Sequence, residues 1–421
     1  MPSTQLDALA ASHTTSAQAP RAAKLVLRML NQLTHGQLRL SLPDQSQRSY
    51  GTATDGAPSG DMAVRDWAVF GAILRGGDIA FAEAFMDGRI TTLDLPALLK
   101  VMVANRSTIE KAIYGTWWGS LLDRITHLLR ANTKQQARKN IAAHYDLGND
   151  FYTLWLDASM TYSAALFGNA DPASAALDEP DLARAQQAKY ARVLAELALP
   201  AQASVLEIGC GWGGFASRAA AAGHRSTGLT LSTEQLAYAN ARLAGEGVAE
   251  LVNLKLQDYR DEGAATNTAA QYDGVASIEM FEAVGEAYWP SYFECVARNL
   301  KSGGKACVQT IVIRNELFDR YRRGTDFIQR YIFPGGMLPS PEKFAELAQG
   351  AGLRVINSHA FGLDYARTLA VWRIRFLREL AHVRAQGYPD RFIRMWEFYL
   401  AYCEAGFVGG DIDVVQFTLE K

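Results

Sequence analysis

The sequence predicts an α/β protein, with a doubly wound parallel sheet preceded by a smaller, mainly helical N-terminal domain. Three observations carry this. After residue 200, short apolar runs alternate with stretches of helical periodicity. The first of these runs stops at a glycine-rich loop. The length, 421 residues, exceeds what one compact core ordinarily supports. The expected organisation is a disordered tail over 1–20, an N-terminal helical domain with its linker over 21–130, and the doubly wound α/β domain over 131–421.

Residues 1–20 are rich in Ala, Ser, Thr and Gln and lack the apolar segment of a secretory signal. From Arg21 to Leu33, apolar residues at 25, 26, 29, 30 and 33 follow a helical period, with Arg21, Lys24 and Arg28 off that stripe. Residues 34–60 combine the alternation Leu38-Arg39-Leu40-Ser41-Leu42 with turn residues ending in Gly56-Ala57-Pro58-Ser59-Gly60. Residues 61–130 read as short helices, and the polar, basic stretch from about 105 to 140 as the connection between domains. Five strands are expected beyond it: Ser204–Ile208, His224–Leu231, Leu251–Leu256, Tyr272–Ile278 and Lys305–Ile313, with a helix from about Ser232.

Hydrophobic residues at 49% and charged residues at 20% exclude a wholly disordered chain. Lys plus Arg number 42 against 44 for Asp plus Glu, so no global positive field points to nucleic acid. Cys210, Cys295, Cys307 and Cys403 stand far apart and form no CxxC or Cys/His cluster, which argues against a disulfide framework and a zinc site. No run approaches 18 apolar residues, so no transmembrane helix is expected. The expectation is a soluble, cytoplasmic protein whose membrane contact is peripheral.

The strongest local signal is Glu207-Ile208-Gly209-Cys210-Gly211-Trp212-Gly213-Gly214. A GxGxG turn between strand and helix lets the backbone approach a ligand closely. NAD, FAD and S-adenosylmethionine (SAM) sites all use such loops. Glu207, two residues before the first glycine, is placed to bind a polar part of the ligand. The second strand ends in Leu229-Thr230-Leu231-Ser232, without the acidic residue that an NAD site places on the ribose diol. After the third strand, Asp258 can accept from an adenine amine and Tyr259 can cover the base. These features favour SAM over a dinucleotide.

With these residues in view, the chain resembles the cyclopropane-fatty-acyl-phospholipid synthase family, SAM-dependent enzymes of acyl-chain double bonds. The similarity runs from about residue 140 to the C-terminus. It is carried by His144-Tyr145-Asp146-Leu147-Gly148-Asn149-Asp150-Phe151-Tyr152, Met160-Thr161-Tyr162-Ser163, the glycine loop, Gly228 to Ser232 with Gln235, Phe281-Glu282-Ala283-Val284-Gly285, Tyr331 to Ser340, and Asp364 to Leu369 with Trp372. Residues 76–88 resemble the N-terminal domain of long bacterial members more weakly. The resemblance implies a Rossmann-like class I SAM methyltransferase fold. It places Tyr162, Ser163, Gly209, Gly211, Thr230, Gln235 and Asp258 at SAM-binding positions. It implies a bicarbonate ion, acting as base, held by Glu282 and Tyr365 and by the backbone N–H groups at Ala164 and Ile311.

Two positions depart from the family pattern. Ala164 stands where many synthases have Cys, and Gln309 where many have His. A Gln amide donates a hydrogen bond but does not titrate near neutrality. A weaker base favours a methylated or methylene-branched product over a cyclopropane. Attack on SAM by an alkene leaves a carbocation, which aromatic faces stabilise; Tyr162, Phe281, Tyr331, Phe333, Phe361, Tyr365 and Trp372 are the candidates. The substrate implied is an unsaturated phospholipid acyl chain, reached by docking the helix at 21–33, the basic stretch at 124–139, or Arg320-Tyr321-Arg322-Arg323 on anionic headgroups. The resemblance also implies a homodimer. The alternatives are a SAM methyltransferase of a small soluble acceptor and a non-catalytic lipid-binding protein, with a nicotinamide-dependent oxidoreductase more distant.

Overall fold

Runs such as Ser204–Ile208, in which Val205, Leu206, Glu207 and Ile208 are all buried, are what a strand covered on both faces requires. A computed structural model, which describes residues 19–113, 147–168, 179–264 and 271–421, shows these runs assembled into one sheet. The tail at 1–18, the basic stretch at 124–139 and the residues His144-Tyr145-Asp146 lie outside the described residues.

The chain begins with α1 (Arg21–Leu30), followed by β1 (Gln37–Ser41), β2 (Gln47–Gly51) and β3 (Ser59–Val64). Then come α2 (Ala68–Met86), β4 (Ile90–Thr91), α3 (Leu95–Ala104) and α4 (Arg106–Ile113). The four strands form a sheet of order β2-β1-β3-β4. Helices dominate this region as expected, but the alternation at Leu38–Leu42 is one strand of a full sheet. Its partners Gln47–Gly51 and Ser59–Val64 are short and turn-rich, and carry little period of their own. Of the expected stripe, helix α1 buries Met29 and Leu30, and Leu33 just beyond it is buried too; the helix also buries Ala23 and Leu27, while Leu25 is exposed. The buried face is broader than the expected stripe because Ala23, a small residue, and Leu27 also meet the core.

The larger sheet holds β5 (Ser204–Ile208), β6 (Arg225–Thr230), β7 (Val252–Leu256), β8 (Tyr272–Ile278), β9 (Leu300–Ile313), β10 (Arg354–Ala360) and β11 (Ile412–Glu420). Its order is β10-β11-β9-β8-β5-β6-β7. The pairs β5–β6, β6–β7, β5–β8 and β8–β9 are parallel, while β11 runs antiparallel to both β9 and β10. Five strands were expected and seven are present. The edge strand β10, Arg-Val-Ile-Asn-Ser-His-Ala, has no clean alternation, and it is fixed by its ladder with β11. The strand order reverses between β5 and β8, the place where open α/β sheets bind ligands beyond their C-terminal strand ends.

The helices of this region are α5 (Asn149–Thr153), α6 (Glu179–Leu197), α7 (Gly214–Ala221), α8 (Thr233–Gly245) and α9 (Trp289–Asn299). They continue with α10 (Asn315–Tyr321), α11 (Pro341–Gly350), α12 (Gly362–Arg378), α13 (Leu380–Ala385) and α14 (Asp390–Gly409). Ser232 caps α8, its hydroxyl accepting from the Gln235 N–H. Helix α14 packs against α12, α3 and α2, so one apolar core runs from the N-terminal region into the C-terminal helices. Lys100 to Glu404 at 2.7 Å and Arg106 to Asp411 at 2.8 Å bridge the same seam.

Candidate functional site

The glycine loop leaves β5 and enters α7 through three residues in the left-handed region, Gly209 at φ 85°, Gly211 at φ 49° and Gly213 at φ 82°. Only glycine adopts this without strain. The Gly209 and Cys210 N–H groups both donate to the Leu229 carbonyl, which ties the loop to the end of β6. A Cβ at Gly211 would meet nothing within 4 Å, so the loop backbone here lies open to the cavity it lines. Trp212 borders the same cavity and donates to Asn149 at 2.7 Å. The motif around Asn149-Asp150-Phe151-Tyr152 thus braces the loop from behind, with Phe151, Tyr152 and Trp155 fully buried against Trp396.

A cavity of about 1480 Å³ opens on this loop. It is lined at one end by Glu207, Gly209, Gly211, Thr230, Gln235, Asp258 and Tyr259, and by Tyr162 and Ser163. It continues past Glu279, Glu282, Ile311 and Tyr365 to apolar side chains of α1, α2 and α14, among them Met29, Phe70, Ile73, Phe81 and Phe398. Every cofactor-site residue expected from the sequence therefore borders one space.

The cofactor-end residues fit a SAM ligand. Glu207 is buried, and its Oε2 has no partner among the described residues. Burial pushes its carboxyl well above the usual range. A buried carboxylate oxygen left open at the cavity wall is what a ligand hydroxyl or ammonium would satisfy. Thr230 donates to Gln235 Oε1 at 3.0 Å, and the Ser232 N–H donates to Thr230 Oγ1 at 3.1 Å, which fixes the end of β6. Asp258 is 1% exposed, and both of its carboxylate oxygens accept from Arg260, at 2.8 and 2.6 Å. The sequence suggests Asp258 as a free acceptor; the structure shows it oriented by this guanidinium. Tyr259 packs edge-on against Tyr292 and borders the cavity.

Tyr162 shares a hydrogen bond with Tyr399 at 2.7 Å and sits among Tyr152, Trp155 and Trp372. Ser163 Oγ accepts from Lys189 at 2.6 Å, and Lys189 also donates to Gln186 Oε1 at 2.7 Å. Lys189 is fully buried, and this holds its ammonium down to about 7 against the pull of Glu279, Asp157 and Glu207. Among the aromatic candidates for cation stabilisation, Tyr162, Phe333 and Tyr365 line the cavity. Phe281 and Trp372 are fully buried core, Phe361 stacks on His359, and Tyr331 donates to Glu83.

The reaction-end residues are arranged differently from the expectation. The resemblance gives the donors Ala164 N–H, Ile311 N–H and Tyr365 to a bicarbonate ion, with Gln309 where many synthases have His. Here these donors meet protein carboxylates. Glu279 Oε1 accepts from the Ala164 N–H at 2.8 Å and from Gln309 Nε2 at 2.7 Å, while its Oε2 accepts from the Tyr365 hydroxyl at 2.6 Å. Glu282 Oε1 accepts from the Ile311 N–H, and its Oε2 is buried without a partner among the described residues. The residues present thus do not offer bicarbonate an open donor set. Burial and the neighbouring Glu279 push the Glu282 carboxyl up to about 8, so it carries a proton at neutral pH.

The sequence reading missed Glu279, Lys189, Gln186 and Tyr399. Glu279 directly follows the end of β8, a central parallel strand, and that position is the signal that marks it. Gln186 and Lys189 occupy the buried face of α6 with Leu182, Ala185 and Val193, so their helical spacing alone places two polar groups in the core.

The sequence pattern of one family, mycolic acid cyclopropane synthetase, matches residues 132–417. The tuberculostearic acid methyltransferase UfaA1 of Mycobacterium tuberculosis is 37% identical over 390 residues, covering 92% of this chain and 88% of that protein. The cyclopropane-fatty-acyl-phospholipid synthase of Escherichia coli K12 is 33% identical over 374 residues, covering 88% and 90%. Among solved structures, mycolic acid cyclopropane synthase CmaA1 complexed with SAH and CTAB superposes with a TM-score of 0.60 at 29% identity, over 68% of this chain and 98% of that one. With the glycine loop and the β5–β8 crossing in place, these matches mean that the chain belongs to the mycolic acid cyclopropane synthetase family and is a SAM-dependent methyltransferase.

Proposed function

We propose that the protein methylates a carbon of the double bond in an unsaturated fatty acyl chain of a membrane phospholipid, through a carbocation. The single observation that carries this is the continuity of the cavity, from the open glycine loop to an apolar wall supplied by α1, α2 and α14. SAM supplies an electrophilic methyl group when bound. Glu207, Asp258 and the loop backbone hold and orient it. Tyr162, Phe333 and Tyr365 present ring faces or edges to the charge that develops on the chain. The apolar wall seats the rest of the chain and keeps water from the cation.

The names of the two relatives, a tuberculostearic acid methyltransferase and a fatty-acyl-phospholipid synthase, support an acyl substrate. Ala164 and Gln309 support a methyl- or methylene-branched product over a cyclopropane ring. Arg320 and Arg323, exposed at the cavity rim, and the exposed row Arg21, Lys24, Arg28 on α1 support docking on anionic headgroups at the inner membrane face. No helix among the described residues is long and apolar enough to cross a membrane. The homodimer belongs to the same proposal and rests on the family resemblance.

The test is purified protein with methyl-labelled SAM and a panel of phospholipid vesicles, free fatty acids and small amines. Label is expected in phospholipid acyl chains, more on anionic than neutral vesicles, with proton NMR showing methyl or methylene rather than cyclopropyl hydrogens. Label confined to a soluble amine would overturn the proposal, and cyclopropyl signals would overturn the product assignment.

A further inference from the structure

We propose that the carboxylate of Glu279 sits where the family resemblance places an exogenous bicarbonate, so that this chain carries its own base. The inference rests on the reading of the site as a methyl-transfer site on an alkene. Its geometry stands apart from the identity of the acceptor.

Three donors converge on this one side chain: the Ala164 N–H, the Gln309 amide and the Tyr365 hydroxyl, at 2.6 to 2.8 Å. Two of them, the Ala164 N–H and the Tyr365 hydroxyl, are groups that the resemblance assigns to the anion, and the third, Gln309, stands where many synthases have His. A carboxylate and a bicarbonate share the planar O–C–O unit, so the same donors satisfy either one. The amide of Gln309 is oriented for this. Its Oε1 accepts from Gln416 Nε2 at 3.0 Å, which turns its NH₂ group towards Glu279.

The backbone gives an independent indication. Glu279 has φ 50°, a left-handed conformation that a non-glycine residue adopts only when its surroundings impose it. Such strain is tolerated where it aims a functional side chain. Glu279 follows β8 directly, beside the glycine loop, and borders the same cavity as Gly209 and Gly211. Its partial exposure is to that cavity. Of the two departures from the family pattern, Gln309 is a direct side-chain partner of this carboxylate, and Ala164 meets it through its backbone N–H. A neutral amide at 309 contributes no charge, and the negative charge that the reaction needs comes from Glu279.

The step balances within the chain and substrate. Once the methyl group has bonded to the acyl chain, the cation loses a proton to the Glu279 carboxylate. The electron pair of the broken C–H bond becomes the double bond of a methylene branch, or the closing bond of a ring. The carboxylic acid then releases its proton to solvent. No external base takes part.

Two variants separate this from an anion-dependent site. Glu279→Gly vacates the seat and suits the left-handed backbone; Glu279→Gln keeps it filled with a neutral isostere. In carbon-dioxide-free buffer, wild-type turnover is expected to stay unchanged on adding bicarbonate. Both variants should lose at least ~100-fold, as removal of a positioned base does, with SAM affinity unchanged by calorimetry. Added bicarbonate should restore at least ~10-fold to Glu279→Gly and nothing to Glu279→Gln. Carbon-13 NMR of labelled bicarbonate needs no substrate: Glu279→Gly should broaden the resonance and wild type should not. Wild-type turnover that collapses without bicarbonate, specific bicarbonate binding by wild type, or full turnover by Glu279→Gln overturns the proposal. Failure of every acyl acceptor would sink the functional reading alone and leave the binding measurement to decide the seat.

Discussion

Replacing Gly209 by alanine is expected to weaken SAM binding by ~30-fold or more while the sheet remains folded. Two costs add. At φ 85° a Cβ strains the backbone, and that Cβ would lie 2.7 Å from Met280 Cγ and 2.9 Å from Met280 Cβ. Strain of this kind is worth about 1–3 kcal/mol, and ~2 kcal/mol corresponds to roughly 30-fold in affinity. The loop cannot retreat easily, because the Gly209 and Cys210 N–H groups are both committed to the Leu229 carbonyl. Gly223→Ala is the control: its φ is also 85°, but nothing lies within 4 Å of the added Cβ and it does not border the cavity. Calorimetry should show intact SAM affinity for Gly223→Ala and lost affinity for Gly209→Ala. Equal affinities would mean that this loop is not the SAM seat.

The second large effect concerns Glu282. Its carboxyl is raised in the fold to about 8, from the 4.5 of a free side chain. Between these values the native state binds more protons than the unfolded chain, so stability falls as pH rises through the window. Below 4.5 both states are protonated and the slope vanishes. Lys189 acts in the opposite sense, but only above its folded value of about 7, where the unfolded chain holds the extra proton. The clean window is therefore pH 5 to 7. Glu207 and Glu279 are also raised and add to the decline, so the contribution of Glu282 is read from a difference. Glu282→Gln is expected to remove at least ~1 kcal/mol of the wild-type loss across that window. Urea unfolding at pH 5, 6 and 7 measures it. Parallel stability curves for the two proteins would show that Glu282 does not hold a proton in the fold.

Much of this molecule was legible from its sequence. Ser204–Ile208 and Tyr272–Ile278 matched the observed strands end to end, because central parallel strands are apolar runs bounded by turns. The edge strand Arg354–Ala360 escaped, since half its ladder is absent and its faces are mixed. The small N-terminal sheet was reduced to one strand for a similar reason: Gln47–Gly51 is mostly exposed, and its pairing with Gln37–Ser41 is specified by the chain reversal rather than by an apolar period.

The cofactor end of the site was legible because a glycine loop is a local motif. The reaction end is not local. Ala164, Glu279, Gln309 and Tyr365 come from four separate segments, and nothing along the chain says that their hydrogen bonds converge. Gln309 reads as a weakening of the base when taken against the family's His. In the fold it reads as an accommodation to a carboxylate three residues before Glu282. Asp258 likewise reads as a free acceptor until Arg260 is seen on both of its oxygens.

The central claim is that an activated methyl group and a carbon–carbon double bond meet in one cavity. It is tested most directly by giving the purified protein methyl-deuterated SAM and two otherwise matched anionic vesicles, one with monounsaturated and one with fully saturated acyl chains. Mass spectrometry of the released chains should find the deuterated one-carbon unit only on the unsaturated set, with one deuterium lost to the base. Label on saturated chains, on the headgroup, or on neither lipid would contradict the account.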